Sequence, residues 1–268
     1  MKSFFSQEIR SWQDFLKLPH ISEDAWVYRG QSRDWQLKTS LERACEQSAI
    51  DLRHAPAIEK ALIDNFRRRY DGNDRQFVND DTLYCLALMQ HHGAPTRLLD
   101  WTYSPYIALY FALEKSEGNS VIWCLNQKWW MASARRIVGD ERFEQRNRYE
   151  TRKDASFIPL YMTIRPYKMV YLENPYFFNS RLNIQQGVFL CTGDVTSPYQ
   201  DNLKALEGCS DAGAVIKIDC EMRTENRLQA LKELNRMNIH RESLFPGLDG
   251  FAQALALRLG MYLKFQNE

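Results

Sequence analysis

Hydrophobic positions recur at two spacings along the 268-residue chain and predict helical ends around a strand-rich middle. Ile9, Trp12, Phe15 and Leu16 fall at helical spacing and predict a helix over residues 6–17, stopped by Pro19. Ala25 to Tyr28 reads as a short strand with Arg29-Gly30-Gln31 as its exit. Pro56 suits the first turn of a helix whose apolar face is Ile58, Leu62, Phe66 and Tyr70. Asp80 or Asp81 caps a second helix that runs through Leu83, Leu86 and Met89 to Gly93. Thr96 to Trp101 reads as a buried strand, and Ser104-Pro105 as the cap and first turn of a helix through Ala108, Phe111 and Ala112. Further strands are predicted at Val121–Leu125, Phe157–Ile164, Met169–Leu172, Val188–Cys191 and Val215–Ile218. Two helices close the pattern, one on Leu228, Leu231 and Leu234, the other after Asp249 on Phe251, Leu255, Leu259 and Tyr262.

This order predicts an α+β fold, one domain over residues 1–268, with a central mixed or split β-sheet flanked by helices. No linker composition or fixed repeat divides it. Thirty-five Lys and Arg against 34 Asp and Glu give a formal charge of +1, which carries no strong nucleic-acid signature yet leaves room for a local phosphate site. Residues 135–154 hold seven basic and five acidic side chains, so they read as a solvated, charge-mixed excursion. The six cysteines show no metal-knuckle spacing and read as reduced core thiols, with no metal expected. The opening residues lack the apolar run of a signal peptide, and Ile107–Leu113 is too short to span a bilayer. A cytoplasmic protein without a membrane partner is the expectation.

Three polar constellations interrupt this pattern. In Tyr28-Arg29-Gly30-Gln31, an arginine at a strand exit offers a planar, bidentate donor set for phosphate or carboxylate, and Gly30 clears the approach. The alternative is a structural arginine paired with a core carboxylate. Gln90 to Pro105 packs His91, His92, Arg97, Asp100 and several hydroxyls around one strand, on which Thr96, Leu98, Asp100 and Thr102 share a face. A His–Asp pair there would serve acid/base work, or the polar groups form an internal network tying turn to strand. Gln185 and Gln186 enter a strand just before Gly187, where an amide can hold a sugar or base edge, or serve as an edge-strand solubility pair.

These residues resemble the FRG domain family. The resemblance rests on Tyr28-Arg29-Gly30-Gln31 with Trp35 and Leu37, on Gln90 to Ala112 with its Thr-Arg-Leu-Leu-Asp-Trp-Thr block, on Gln186 to Phe189, and on Leu234 to Gly250, and it runs from about residue 5 to residue 260. It implies a bacterial setting in prophage, phage defence or toxin action. The chain is more distantly similar to ADP-ribosyltransferases, whose fold carries three separated strand motifs. Arg29 fits the first, which holds the NAD phosphate or ribose. Thr102 and Ser104, followed by Ala108 and Phe111-Ala112, fit the second. The third is usually a Glu; here the strand offers Gln185 and Gln186, and an amide holds a ribose hydroxyl without acting as a base.

That similarity implies an enzyme that breaks the glycosidic bond of NAD and passes ADP-ribose to water or to an unknown macromolecular acceptor. Arg29 would clamp the pyrophosphate, Trp101 and Thr102 would shape the nicotinamide end, and Gln186 would hold the ribose. Gly30, Gln31, Thr96, Arg97 and Ser104 complete the expected NAD-binding set, and His91 or Asp100 would supply acid/base function. Two other readings use the same residues. One is a nucleotide-sensing or interaction module without turnover; the other is a nucleotide or nucleic-acid hydrolase built on His91, His92, Arg97 and Asp100.

Overall fold

A computed structural model describes residues 4–147, 154–175, 180–248 and 250–255. The chain opens with strand β1 (Phe5–Ile9), short helix α1 (Trp12–Leu16) and strand β2 (Trp26–Gln31). Four helices follow: α2 (Ser40–Gln47), α3 (Ala55–Arg69), α4 (Arg75–Asp80) and α5 (Thr82–His91). Then come β3 (Leu98–Thr102), α6 (Pro105–Leu113), β4 (Ser120–Asn126), α7 (Gln127–Val138), α8 (Asp140–Asn147) and α9 (Asp154–Tyr161). The remainder comprises β5 (Val170–Glu173), α10 (Ser180–Ile184), β6 (Gly187–Thr192), α11 (Tyr199–Lys204), β7 (Val215–Cys220), α12 (Thr224–Arg236) and α13 (Arg241–Leu244).

The strands form one mixed seven-stranded sheet in the order β1-β7-β4-β2-β3-β6-β5. Only β1 and β7 run parallel; every other neighbouring pair is antiparallel. Period-two alternation along β2 and β4 sends the two faces into separate cores. Trp26, Tyr28, Ile122 and Cys124 join Ile107 and Ala108 of α6 and Leu234 of α12 on one side. Val27, Val121, Trp123 and Leu125 join Leu86 of α5 and Trp130 of α7 on the other. No helix of the described residues is long and apolar enough to cross a membrane. The six cysteines are free and buried.

One junction in this sheet differs from the rest. Strand β2 pairs with β4 along its whole length, and β3 pairs with β6 along its whole length. Between β2 and β3 the register holds a single pair, Tyr28 opposite Thr102. The sheet is continuous in order but parted at that junction. Helix α6 packs against β2, β3 and β4 across the parting. It sits so close that a Cβ on Gly30 would collide with the carbonyl oxygen of Ala108 and lie 2.6 Å from the amide nitrogen of Ala112. Gly30 is therefore required by α6; its missing side chain admits a helix backbone rather than clearing a path for a ligand.

Several predicted elements land elsewhere. Residues 6–17 are not one helix: Phe5–Ile9 is a strand zipped in parallel to Ile216–Cys220, and the helix is only Trp12–Leu16, capped by the Ser11 side chain. Phe157–Ile164 is no strand: Phe157–Tyr161 is the end of α9, which buries Phe157, Leu160 and Tyr161 despite Pro159, and residues 162–164 are bends beyond it. On α3 the buried residues are Ala55, Glu59 and Ile63, because a buried arginine draws Glu59 inward. Leu62, Phe66 and Tyr70 pack on the core from the flank. Arg146 leaves the expected solvated stretch and is buried against Glu173, with bonds of 2.8 and 2.7 Å and a third to Ser156 Oγ at 2.9 Å. The Asp81 and Ser104 caps lie where the sequence places them, each side chain accepting from a backbone N–H of the first turn. Residues 250–255 are helical, while Asp249, Leu259 and Tyr262 of the last predicted helix lie outside the described residues.

Candidate functional site

The parting of β2 and β3 opens into a cleft of about 1060 Å³. Its centre is lined by Arg29, Gly30 and Gln31 of β2 and by Asp100, Trp101 and Thr102 of β3. One end is walled by the loop after β2 and by α2, with Trp35, Lys38 and Arg43; the other by Glu114, Arg181, Gln185, Arg241 and Phe245. Arg29 sits where a cross-strand bond to β3 would have formed. Its Nη1 donates instead to the backbone carbonyl of Asp100 at 2.6 Å. Its Nε is buried without a partner. Burial pulls the Arg29 pKa below its ordinary value, and the Asp100 charge works in the opposite direction.

Six basic side chains line the cleft (Arg29, Lys38, Arg43, Lys115, Arg181 and Arg241) against four carboxylates. Three of those carboxylates are engaged. Glu46 pairs with Lys38 at 2.8 Å, Glu114 with Arg241 at 2.8 Å, and Asp34 with Lys217 at 2.6 Å. Among the described residues, Arg29, Arg43, Lys115 and Arg181 have no carboxylate within ion-pair distance. The field in the cleft therefore favours an anion. Its walls are also partly aromatic: Phe111 and Phe245 line it half-buried and Trp35 stands 53% exposed at the rim, while Tyr28 and Trp101 border it with side chains almost wholly buried in the two cores. Planar faces beside uncompensated cations suit a ligand that combines a ring with phosphate or carboxylate groups.

The predicted site residues divide cleanly. Arg29, Gly30, Gln31, Asp100, Trp101 and Thr102 line the cleft together. Gln31 turns its amide away, its Oε1 accepting from the Trp123 indole N–H at 2.8 Å. Thr102 is a latch: its Oγ1 donates to the Gln185 carbonyl at 2.7 Å and accepts from the Ser104 amide at 3.0 Å. Ser104 is occupied as the cap of α6 and is absent from the cleft walls. Thr96 is wholly buried, its hydroxyl bonded to Gln90 Oε1 and its amide to Ser40 Oγ. Arg97 is sealed in the core by a bidentate ion pair with Glu59 and by the carbonyls of Tyr161, Thr192 and Gly193. Neither Thr96 nor Arg97 reaches the cleft, so both leave the expected NAD-binding set as framework residues.

His91 and His92 lie exposed at the end of α5, ring against ring at 5.1 Å, and line neither cavity of the site. With Arg97 sealed, the four residues of the hydrolase reading are not gathered in one place. Gln186 also stays out of the cleft walls; its backbone takes a left-handed conformation, φ +46°, in the turn before β6. Its neighbour Gln185 lines the cleft instead, with Nε2 donating to the Leu244 carbonyl at 2.9 Å. The residues missed from sequence are Lys38, Arg43, Arg181 and Arg241. Arg43 sits in the charge-mixed helix α2, Lys38 in the loop before it, and Arg181 and Arg241 at the starts of the short helices α10 and α13, where no pattern hinted at which side meets the cleft. A small signal did exist in Trp35, an aromatic among polar loop residues.

Residues 24–120 match the FRG domain family. That stretch supplies β2, β3, α6 and the α2 wall, and with them Arg29, Arg43, Asp100 and Trp101. The match is shorter than the resemblance across residues 5–260: Gln185, Arg241 and Phe245 come from beyond it. No curated protein and no solved structure matches the chain. The likeness to ADP-ribosyltransferases rests on the sequence motifs alone.

Proposed function

We propose that the chain binds NAD in the cleft between β2 and β3 and cleaves the bond between its ribose and nicotinamide, passing ADP-ribose to water or to a macromolecular acceptor. The observation that carries this reading is the placement of Arg29 at the parting of the sheet. It faces a cleft with surplus positive charge and aromatic walls. In the reaction the C1′–N1 bond breaks with its electron pair going to the pyridinium nitrogen, so nicotinamide leaves neutral and positive charge develops at C1′. Arg29 would hold the diphosphate, and Trp101 would bound the nicotinamide end. Asp100, whose carboxylate has no ion-pair partner among the described residues, would face the developing cation. The FRG resemblance supports toxin action or phage defence as the setting.

One feature favours a second reading, a nucleotide-sensing module without turnover. The third ADP-ribosyltransferase motif here presents Gln185, whose amide is tied to the Leu244 carbonyl and cannot take a proton. A single experiment separates the two. The purified chain is incubated with NAD, with and without cell lysate, and free nicotinamide and ADP-ribosylated product are quantified. Release above a matched Arg29→Gln control supports the enzyme; NAD binding without release supports the sensor; no binding of NAD sinks both.

A further inference from the structure

A second cavity of about 220 Å³ adjoins the cleft, and the two share Arg29, Arg43 and Asp100 as a common wall. Ser40, Gln90 and Gly93 are among its other walls. Arg43 enters from α2, a helix fixed by its buried Leu41 and Cys45 and by the Leu41 amide bonding to the Thr96 carbonyl at 3.0 Å. The Arg43 guanidinium is exposed and bonds through Nη1 to the Lys38 carbonyl at 2.6 Å. Arg29 likewise gives one Nη1 bond to a carbonyl and leaves Nε buried and unpaired. Each guanidinium carries five N–H donors, so most of this donor capacity is unused.

The two groups are also near enough to oppose one another, since the Arg43 charge pushes the Arg29 pKa down. Asp100 is the single carboxylate facing both cavities. Two guanidinium groups that line the same two cavities beside one exposed carboxylate repel each other, and an oxyanion bound between them would relieve that repulsion. We propose that Arg29 and Arg43 together hold one phosphoryl group of a nucleotide at the mouth joining the two cavities, with Arg43 the second arm of the clamp. This rests on the nucleotide reading of the cleft and adds a residue to it. Asp100 decides between a nucleotide and a bare anion. Its carboxylate opposes any phosphate held there but accepts hydrogen bonds from ribose hydroxyls, so a ligand with a sugar beside its phosphate regains what a bare anion loses.

Titration calorimetry with ADP, adenosine and inorganic pyrophosphate on the wild type, Arg43→Gln and Arg43→Lys tests this. Because Arg43 is exposed on its helix, both variants are expected to keep the wild-type circular dichroism melt. Loss of a charge-assisted phosphate contact should weaken ADP binding by about tenfold or more in R43Q, with R43K intermediate and adenosine changed by less than about twofold. Wild-type affinity should rise from adenosine to ADP, with pyrophosphate weaker than ADP. Equal ADP affinity in wild type and R43Q overturns the clamp, as does a wild type that fails to prefer ADP over adenosine. Pyrophosphate binding as tight as ADP also overturns it, because the site would then recognise a bare anion. Nicotinamide release is read separately. Turnover unaffected by R43Q removes Arg43 alone, whereas ADP binding through Arg43 without any release removes the transfer reading alone.

Discussion

Arg29 near the exit of β2 and Arg97 just before β3 belong to neighbouring strands and are opposite in circumstance. Arg97 is 1% exposed and gives its donors to both oxygens of Glu59 and to three backbone carbonyls. Burial works against its charge, but Glu59 more than restores it and the pKa ends raised. Arg29 has one carbonyl acceptor, a buried idle Nε and a pKa lowered by burial. A guanidinium whose donors are all spent is part of the frame; one whose donors are idle at the wall of a cleft is available to a ligand. The Thr-Arg-Leu-Leu-Asp-Trp-Thr block, the most specific stretch of the FRG resemblance, thus holds both kinds of residue. Arg97 anchors the strand from which Asp100 and Trp101 reach the cleft.

The sharpest way to break this contrast is Glu59→Gln, which leaves the Arg97 charge buried with no carboxylate. Stability should fall by about 3–5 kcal/mol, measured by chemical denaturation, and a loss below about 1 kcal/mol would deny Arg97 its framework role. Arg29→Gln should do the reverse. Losing one hydrogen bond should cost about 1 kcal/mol of stability. NAD or ADP binding should drop by about tenfold or more, as read by calorimetry. A large melt shift with ligand binding intact would make the two arginines alike. Gly30→Ala should destabilise by about 1–3 kcal/mol, because the new methyl group meets backbone of α6 that cannot turn aside. A neutral result would mean that α6 sits farther from β2.

Two smaller effects sharpen the picture. Gln186→Gly should leave ligand binding unchanged and raise stability by about 0.5–1 kcal/mol by relieving the left-handed backbone, whereas lost binding would return Gln186 to the site. His20 is buried, and burial lowers its pKa from 6.5. The unfolded chain therefore takes up the proton first as pH falls, so stability declines from near 6.5 and levels off below the folded pKa. Denaturation curves across that range should show the decline in wild type and a flatter profile in His20→Asn. A rise in stability on acidification would contradict the buried neutral imidazole.

Local signals in the sequence located most elements. Proline after serine marked α6, aspartate marked α5, and apolar runs marked β4, β6 and β7. Phe5–Ile9 misled because its helix-like spacing continues into α1, and only its parallel partner in β7 makes it a strand. Phe157–Ile164 misled because a dense aromatic run at a helix end looks like a strand when its neighbours are unknown. At the candidate site, Arg29 was legible from its place near the exit of β2 and Asp100 as a charged residue within an otherwise apolar strand. The burial of Arg97 was not, since its partner Glu59 is 38 residues away on a helix whose apolar stripe pointed elsewhere. The α2 wall was equally hidden, because a charged helix shows no preference for one solvent face over another until it packs.

The single register pair between β2 and β3 has a mechanical consequence. The sheet is two plates, β1-β7-β4-β2 and β3-β6-β5, sharing one rung at Tyr28 and Thr102. Within each plate a shear load is spread over many backbone bonds; at the seam it falls on that rung, on the α6 splint and on the Arg29 side chain that ties to the Asp100 carbonyl. A molecule gripped by Arg29 from one plate and Asp100 from the other becomes a rivet through the seam. Occupancy of the cleft would then stiffen the whole sheet, and amide exchange should slow along the facing edges of β2 and β3 more than in β4 or β7.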